Sequence, residues 1–228
     1  MSLVKNAPKA PYVASDGRTL PGVTTVLKAL DKGPGLLHWA WKQGKLGFPL
    51  YKARDQAIDI GHLTHYLIEK YVKGEKPELS NDFAANDVLK AHRLFDMFRS
   101  FWDGGGYKLI ASELKLIDER KHGYGGTIDI LAECPNGIEL LDLKTSKEIW
   151  PEYYIQVAAY KKLTQGKVML PSEPKARIVL ITKDEYFDAP DIHEGVITKA
   201  GEVWEDLIKV YYNLIDLKKS LGRTEVRS

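Results

Sequence analysis

An acid, one apolar residue and a lysine stand inside an apolar run at Leu140-Leu-Asp-Leu-Lys-Thr145. Side chains of a strand alternate between its two faces, so Asp142 and Lys144 project from one face and Leu141 and Leu143 from the other. The pattern predicts a strand with leucines turned inward and an acid–base pair turned outward, the floor of a site. A second acid, Asp129, ends the β-like run Gly126-Thr-Ile-Asp-Ile-Leu131. The turn chemistry of Glu133-Cys-Pro-Asn-Gly137 joins the two runs. Asp129 and Asp142 therefore belong on neighbouring antiparallel strands, where two carboxylates can share a metal ion. Glu113, in Ala111-Ser-Glu-Leu-Lys115, sits on the preceding run and faces opposite to Leu114 and Leu116.

Two further pairs lie on predicted helices. Gln156 and Tyr160 are four residues apart and share a helix face, while Ile155, Ala159 and Leu163 can line a different, buried face. Upstream, Gly61-His-Leu-Thr-His65 leads into Tyr-Leu-Ile-Glu69. Taken in order, Gly61-x-x-x-His65, Glu113, Asp129, Asp142-Leu-Lys144 and Gln156-x-x-x-Tyr160 resemble the PD-(D/E)XK nucleases, and within them the RecB-type exonuclease branch. The direct resemblance spans residues 61 to 160. Leu20-Pro-Gly-Val-Thr-Thr-Val-Leu27 is similar to the leading segment of phage-type members.

The resemblance implies a divalent-metal-dependent DNA nuclease, foremost an exonuclease acting from DNA ends. The alternatives are a structure-specific or restriction-type endonuclease, or a catalytically silent DNA-end-binding module. It implies a catalytic set of Asp129, Asp142, Lys144, Gln156 and Tyr160. One or two Mg²⁺ or Mn²⁺ ions would be held by His65, Glu113, Asp129, Asp142 and the backbone carbonyl of Leu143, in keeping with the oxygen preference of hard cations. Lys144 would sit near the scissile phosphate, to position water, act as base or stabilise charge. Gln156 would orient Lys144 or the water. Tyr160 would contact the DNA backbone, with Thr145, Ser146, Lys147 and Lys161 as further phosphate contacts. His62 is the rival of His65, and Glu69 could orient it. Gly125 and Gly126 could admit DNA closely or form a bulge. A phage recombinase or helicase is a partner such an enzyme could have.

The elements that must position these residues are legible as an α/β order. Tyr12 to Leu20 reads as a hairpin turning at Asp16-Gly17. Thr24 or Thr25 is the expected cap of a short helix. Leu36 to Lys45 and Arg54 to Tyr71 read as helices, and Asn81 or Asp82 as the cap of another that ends at Gly104-Gly-Gly106. Three strands follow, then a helix opened by Pro151, a β-branched strand over Ala176 to Thr182, an edge strand within Glu185 to Val196, and a closing helix from Lys199. The expected architecture is a restriction-endonuclease-like core (helix, three-stranded antiparallel meander, helix, strand) with an N-terminal helical arch. The expected layout is one nuclease domain over 1–228: arm or arch 1–60, catalytic core 61–198, closing helix 199–221.

Composition narrows the class. The chain has 228 residues, 44% of them hydrophobic and 28% charged, which suits one globular unit. No apolar run approaches a membrane span, and neither a signal peptide nor a transit peptide is legible at the N-terminus, so a cytoplasmic location in a bacterium or phage-infected host is expected. The single cysteine, Cys134, excludes an internal disulfide framework and a four-cysteine iron–sulfur cluster within one chain. A net charge of +2 places any DNA-binding surface in local lysine and arginine clusters. Candidates are Lys42, Lys45, Lys52 and Arg54, and Lys147, Lys161, Lys162 and Lys167 beside the motif helix. Trp39, Trp41, Phe48 and Tyr51 could stack on the bases of a frayed strand.

Overall fold

The structure, a computed structural model, describes residues 11–30, Trp41, Lys45 and 50–222, with side chains in the last stretch from Ile58 onward. The Leu36 to Lys45 helix, the aromatics Trp39, Phe48 and Tyr51, and the side chains of Lys42, Lys52 and Arg54 lie outside the described residues. The chain opens with a hairpin of β1 (Tyr12–Val13) and β2 (Thr19–Leu20) and a short helix α1 (Val23–Leu27). Two long helices follow, α2 (Leu50–Val72) and α3 (Ala85–Gly104). Then come β3 (Lys108–Asp118), β4 (Tyr124–Cys134), β5 (Gly137–Lys144), α4 (Pro151–Thr164), β6 (Lys175–Ile181), β7 (Phe187–Asp188) and α5 (Glu194–Ser220).

The order β3-β4-β5-β6-β7 forms one mixed sheet. β3, β4 and β5 are the expected antiparallel meander. The crossover through α4 makes β6 parallel to β5, and β7 returns antiparallel. Pro135 and Asn136 turn the β4–β5 hairpin, closed by the Cys134–Gly137 pair with Gly137 at φ +112°. Helices cover both faces. On one, α1, α4 and α5 bury Val26, Ile128, Leu140, Ala159 and Trp204 together. On the other, α2 and α3 pack Ile60, Ile68, Leu94 and Phe98 against Ile130, Leu141, Leu143 and Val179. Strand β5 is thus buried on both sides, as the parallel half of such a sheet is. The outward face expected for Asp142 does not exist, because α4 lies over it.

Several boundaries differ from the sequence expectation, each for a local reason. Gly22 occupies the cap position of α1 with no side-chain cap, and Thr24 and Thr25 are inside the helix. Helix α3 starts after Ala84 rather than at Asn81 or Asp82. The edge strand shrinks to two residues before Pro190. His193 then caps α5 by accepting from Gly195 N at 3.1 Å, so the closing helix begins five residues earlier than Lys199. Residues 11–30 do not arch away from the sheet. Gly125 N donates to Pro21 O at 2.9 Å, Tyr12 hydroxyl meets Thr127 Oγ1 at 2.9 Å, and Val23, Val26 and Leu27 join the core. Gly125 is explained by this contact, since a Cβ there would fall 2.1 Å from the Tyr12 ring.

Candidate functional site

The site forms where β4 and β5 separate. Their ladder runs from Cys134–Gly137 to Ile130–Leu141 and stops one step short of Asp129 and Asp142. Beyond that step the Asp129 carboxylate takes the place of a strand: its Oδ2 accepts from Leu143 N at 2.8 Å. The face pattern of β4 also slips there. Tyr124 and Ile128 enter the α4–α5 core, whereas Ile130 and Ala132 enter the α2–α3 core. Strand β3 slips at the same level, since Ala111 and Leu114, three residues apart, both face the first core. The pairs Ser112–Ile130 and Leu114–Ile128 bracket this step, leaving Glu113 opposite Asp129, with Glu113 at φ +49°. A non-glycine residue there is strained by about 1 kcal/mol or more, a cost that clusters at functional positions.

Asp142 is 1% exposed and is held from α4. Gln156 Nε2 donates to its Oδ1 at 3.2 Å and to the Tyr160 hydroxyl at 2.9 Å. Lys144 Nζ lies against Asp142 Oδ2 as an ion pair. The same amine is 3.4 Å from the Leu143 carbonyl and 5.0 Å from the Tyr153 ring centre. Burial raises the Asp142 carboxyl, the Lys144 charge pulls it down, Asp129 raises it again, and it rests at about 6, with His65 among the groups lowering it. For Lys144, burial favours the neutral amine, but Asp142 and Asp129 more than offset this and hold it above the ordinary lysine range. Tyr160 is driven well above the tyrosine range by burial and then by the two carboxylates, so its hydroxyl stays protonated.

The Gly61 to His65 spacing has a packing reason. A Cβ at Gly61 would come 2.8 Å from Thr145 Oγ1, so the glycine lets α2 rest on the end of β5. His65, one turn later, is then near enough for its charge to act on Asp142. His62 is exposed. Glu69 pairs at 2.5 Å with Lys73, down the helix.

The structure thus gathers Asp129, Asp142, Lys144, Gln156, Tyr160, the Leu143 carbonyl and, at the margin, His65. Among the described residues no three His, Cys, Asp or Glu side chains converge as a ready-made metal shell. Asp129 is turned to a backbone amide, Lys144 leans on Asp142, and Glu113 is exposed. The oxygens that do meet, from Asp129, Asp142 and the Leu143 carbonyl, are hard donors gathered around Lys144. That donor set fits Mg²⁺ or Mn²⁺.

Of the expected phosphate contacts, Lys147 is exposed, and Thr145 and Ser146 are partly buried, with Ser146 Oγ donating to Glu148 O at 2.8 Å. Tyr160 is 5% exposed, and it is the ring that Gly126 makes room for, at 2.7 Å from where a Cβ would be. Lys161 is paired with Glu194 at 2.7 Å, Lys162 with Glu205 at 3.2 Å, and Lys167 with the Ile117 carbonyl. The cations beside α4 are therefore engaged. Lys161 and Lys162 line a groove between α4 and α5, of about 570 Å³, that contains none of the acidic-pair residues. Trp41 is exposed, with the Lys45 amine 4.1 Å from its ring centre. Tyr153 was not singled out by the sequence. The available signal was its place three residues before Gln156, one turn away on the same helix.

No family model matches the chain, and no curated protein matches it. Thirteen solved chains match by structure. One is the crystal structure named "Putative exonuclease" from Eubacterium rectale, at 13% identity and TM-score 0.47, covering 73% of this chain and 69% of that one. Another is SSO0001, at 16% identity and TM-score 0.32, covering 56% of this chain and 61% of that one. What the chain itself exhibits is a mixed α/β fold with a buried acid–lysine pair at the parting of two strands.

Proposed function

We propose that this chain is a divalent-metal-dependent deoxyribonuclease with the restriction-endonuclease-like core of the PD-(D/E)XK type, hydrolysing phosphodiester bonds from DNA ends. The observation that carries the reading is the Asp142 carboxylate. It is buried, held on one oxygen by Gln156 and on the other by Lys144, with the Asp129 carboxylate close enough to raise its pKa. Two carboxylates gathered in a buried site around one lysine carry a surplus of negative charge that a divalent cation would relieve.

Asp129, Asp142 and the Leu143 carbonyl would hold the ion, with His65 and Glu113 as outer groups. When bound, such an ion lowers the pKa of a water and neutralises charge developing on the phosphate. The protein's own groups supply the rest. Gln156 keeps Asp142 in one rotamer, and the protonated Tyr160 hydroxyl accepts from Gln156 and so locks its amide. Lys144, held charged by two carboxylates, is placed to donate to a phosphate oxygen once an ion occupies Asp142. Its stacking above Tyr153 restrains the amine laterally. The exonuclease mode, action on DNA rather than RNA, a cytoplasmic setting and a recombinase or helicase partner follow from the family resemblance and belong to the same proposal.

The test is digestion of end-labelled linear and closed circular DNA with Mg²⁺ or Mn²⁺. Metal-dependent loss of linear DNA alone, abolished in Asp142→Asn and Lys144→Ala, supports the proposal. Equal cutting of circles moves the function to an endonuclease. Tight binding of ends without cutting favours the end-binding module.

A further inference from the structure

At the end of the sheet where β5 and β6 run out, two lysines, Lys183 and Lys90, enter no ion pair among the described residues. Strands β5 and β6 run parallel with Lys144 in register with Leu180, so both release the chain at the same end of the sheet. Three residues after Leu180, no more than about 11 Å of extended chain, Lys183 stands in the turn between β6 and β7. That turn is firmly built. Thr182 N donates to Tyr186 O at 2.8 Å, Tyr186 N to Thr182 Oγ1 at 3.1 Å, and Glu185 takes φ +60°. Arg93 of α3 donates to Glu185 at 3.1 Å and fastens the turn to the helix. Lys90, three residues before Arg93 on the same helix face, is thereby brought to Lys183. Burial first, and the Lys90 charge second, hold Lys183 below the ordinary lysine range.

Arg93 is answered by Glu185. Lys90 and Lys183 are half-buried and, among the described residues, enter no hydrogen bond or ion pair. The opposing charge next to them, Asp184, is exposed and only partly offsets their repulsion. Two like charges held together and partly desolvated, with only an exposed carboxylate nearby, favour the approach of an anion. We propose that Lys183 and Lys90 bind a backbone phosphate of the nucleic-acid strand whose neighbouring phosphate is presented to Asp142 and Lys144. The inference rests on the nuclease reading of the Asp142 site and names where its substrate is gripped. It gives the chain a local cationic surface that its net charge of +2 does not supply and that Lys161, Lys162 and Lys167, already engaged, do not supply either. Such a contact sets the position of the strand and reads no base.

The experiment is fluorescence anisotropy of a labelled 5′-phosphorylated single-stranded oligonucleotide, with Ca²⁺ replacing Mg²⁺, over a salt series. The proteins are the unchanged chain, Lys183→Gln, Lys90→Gln, the double variant and Lys183→Arg. Each glutamine is expected to weaken binding several-fold and to flatten the slope of log affinity against log salt by about 0.7, with Lys183→Arg close to the unchanged chain. Thermal unfolding of each variant identifies any that lose the fold, and Lys183→Met then stands in for Lys183→Gln. A double variant with unchanged affinity and slope, in a chain whose DNA digestion needs Asp142, overturns the phosphate subsite and leaves the nuclease reading intact. Absence of both DNA binding and digestion in the unchanged chain overturns the nuclease reading, and the ligand named here with it.

Discussion

At the scale of single residues, the chemistry rests on charges that folding alone leaves unfavourable. Asp142 at about 6 takes up a proton that the unfolded chain, with an ordinary carboxyl near 3.8, releases. The folded state binds more protons between these values, so the Asp142 contribution is favourable at low pH and is lost as pH rises through about 6. Metal-free protein should therefore lose stability over that window, and Asp142→Asn should flatten the loss. Thermal unfolding at pH 4.5 and 7 checks this. Glu113 gives a second prediction. Glu113→Gly removes the strain of its positive φ and should raise stability by up to about 1 kcal/mol, while Glu113→Gln keeps the strain. If the carboxylate serves the site, both variants lose metal-dependent digestion, so the two changes separate its backbone role from its side-chain role. The residue types at positions 129, 142, 144, 156 and 160 could be read directly from spacing, because period-two and period-four patterns survive without tertiary information. The burial of Tyr160 was not legible, since it depends on Gly126 of another element lying under its ring.

At the scale of elements, close approaches decide where side chains end up. Gly61→Ala would place a methyl 2.8 Å from Thr145 Oγ1 and push α2 off the end of β5. The expected result is a loss of about 1–3 kcal/mol together with weaker metal-dependent activity, read by thermal unfolding and digestion, because His65 rides on the same helix. The far end of β5 is a contrasting case. Glu139 is 2% exposed and is held by Arg177 in two contacts, at 2.7 and 2.8 Å, and by Tyr107 at 2.8 Å. Arg177→Ala would strand a buried carboxylate and should cost about 3–5 kcal/mol, measured by denaturant unfolding, without a change in metal requirement. The sequence indicated the strands and helices through periodicity and turn residues. It did not reveal that both faces of β5 are covered, because a strand's alternation states which residues share a face and not what lies above it.

At the scale of the whole molecule, residues 11–30 behave as part of the core. Tyr12 lies in the space left by Gly22 and Gly125, and α1 packs into the α4–α5 layer. Hydrogen exchange should protect the amides of Val26 and Leu27 to a degree close to that of the sheet, whereas an arm would exchange freely. Tyr12→Ala should lower stability by about 3 kcal/mol and reduce that protection.

The sequence by itself determined the kinds of chemistry available: two acids and a lysine at strand spacing, an amide and a phenol at helical spacing, and a glycine one turn before a histidine. It determined most elements too, since local propensity and hydrophobic period act within a few residues. Tertiary structure alone decided that Asp129 caps the Leu143 amide where two strands part, that Lys144 leans on the buried Asp142 carboxylate, and that the lysines beside α4 are already paired. The physical reason is that charge pairing and burial are set by residues far apart in the chain, whose distances only the packed fold fixes.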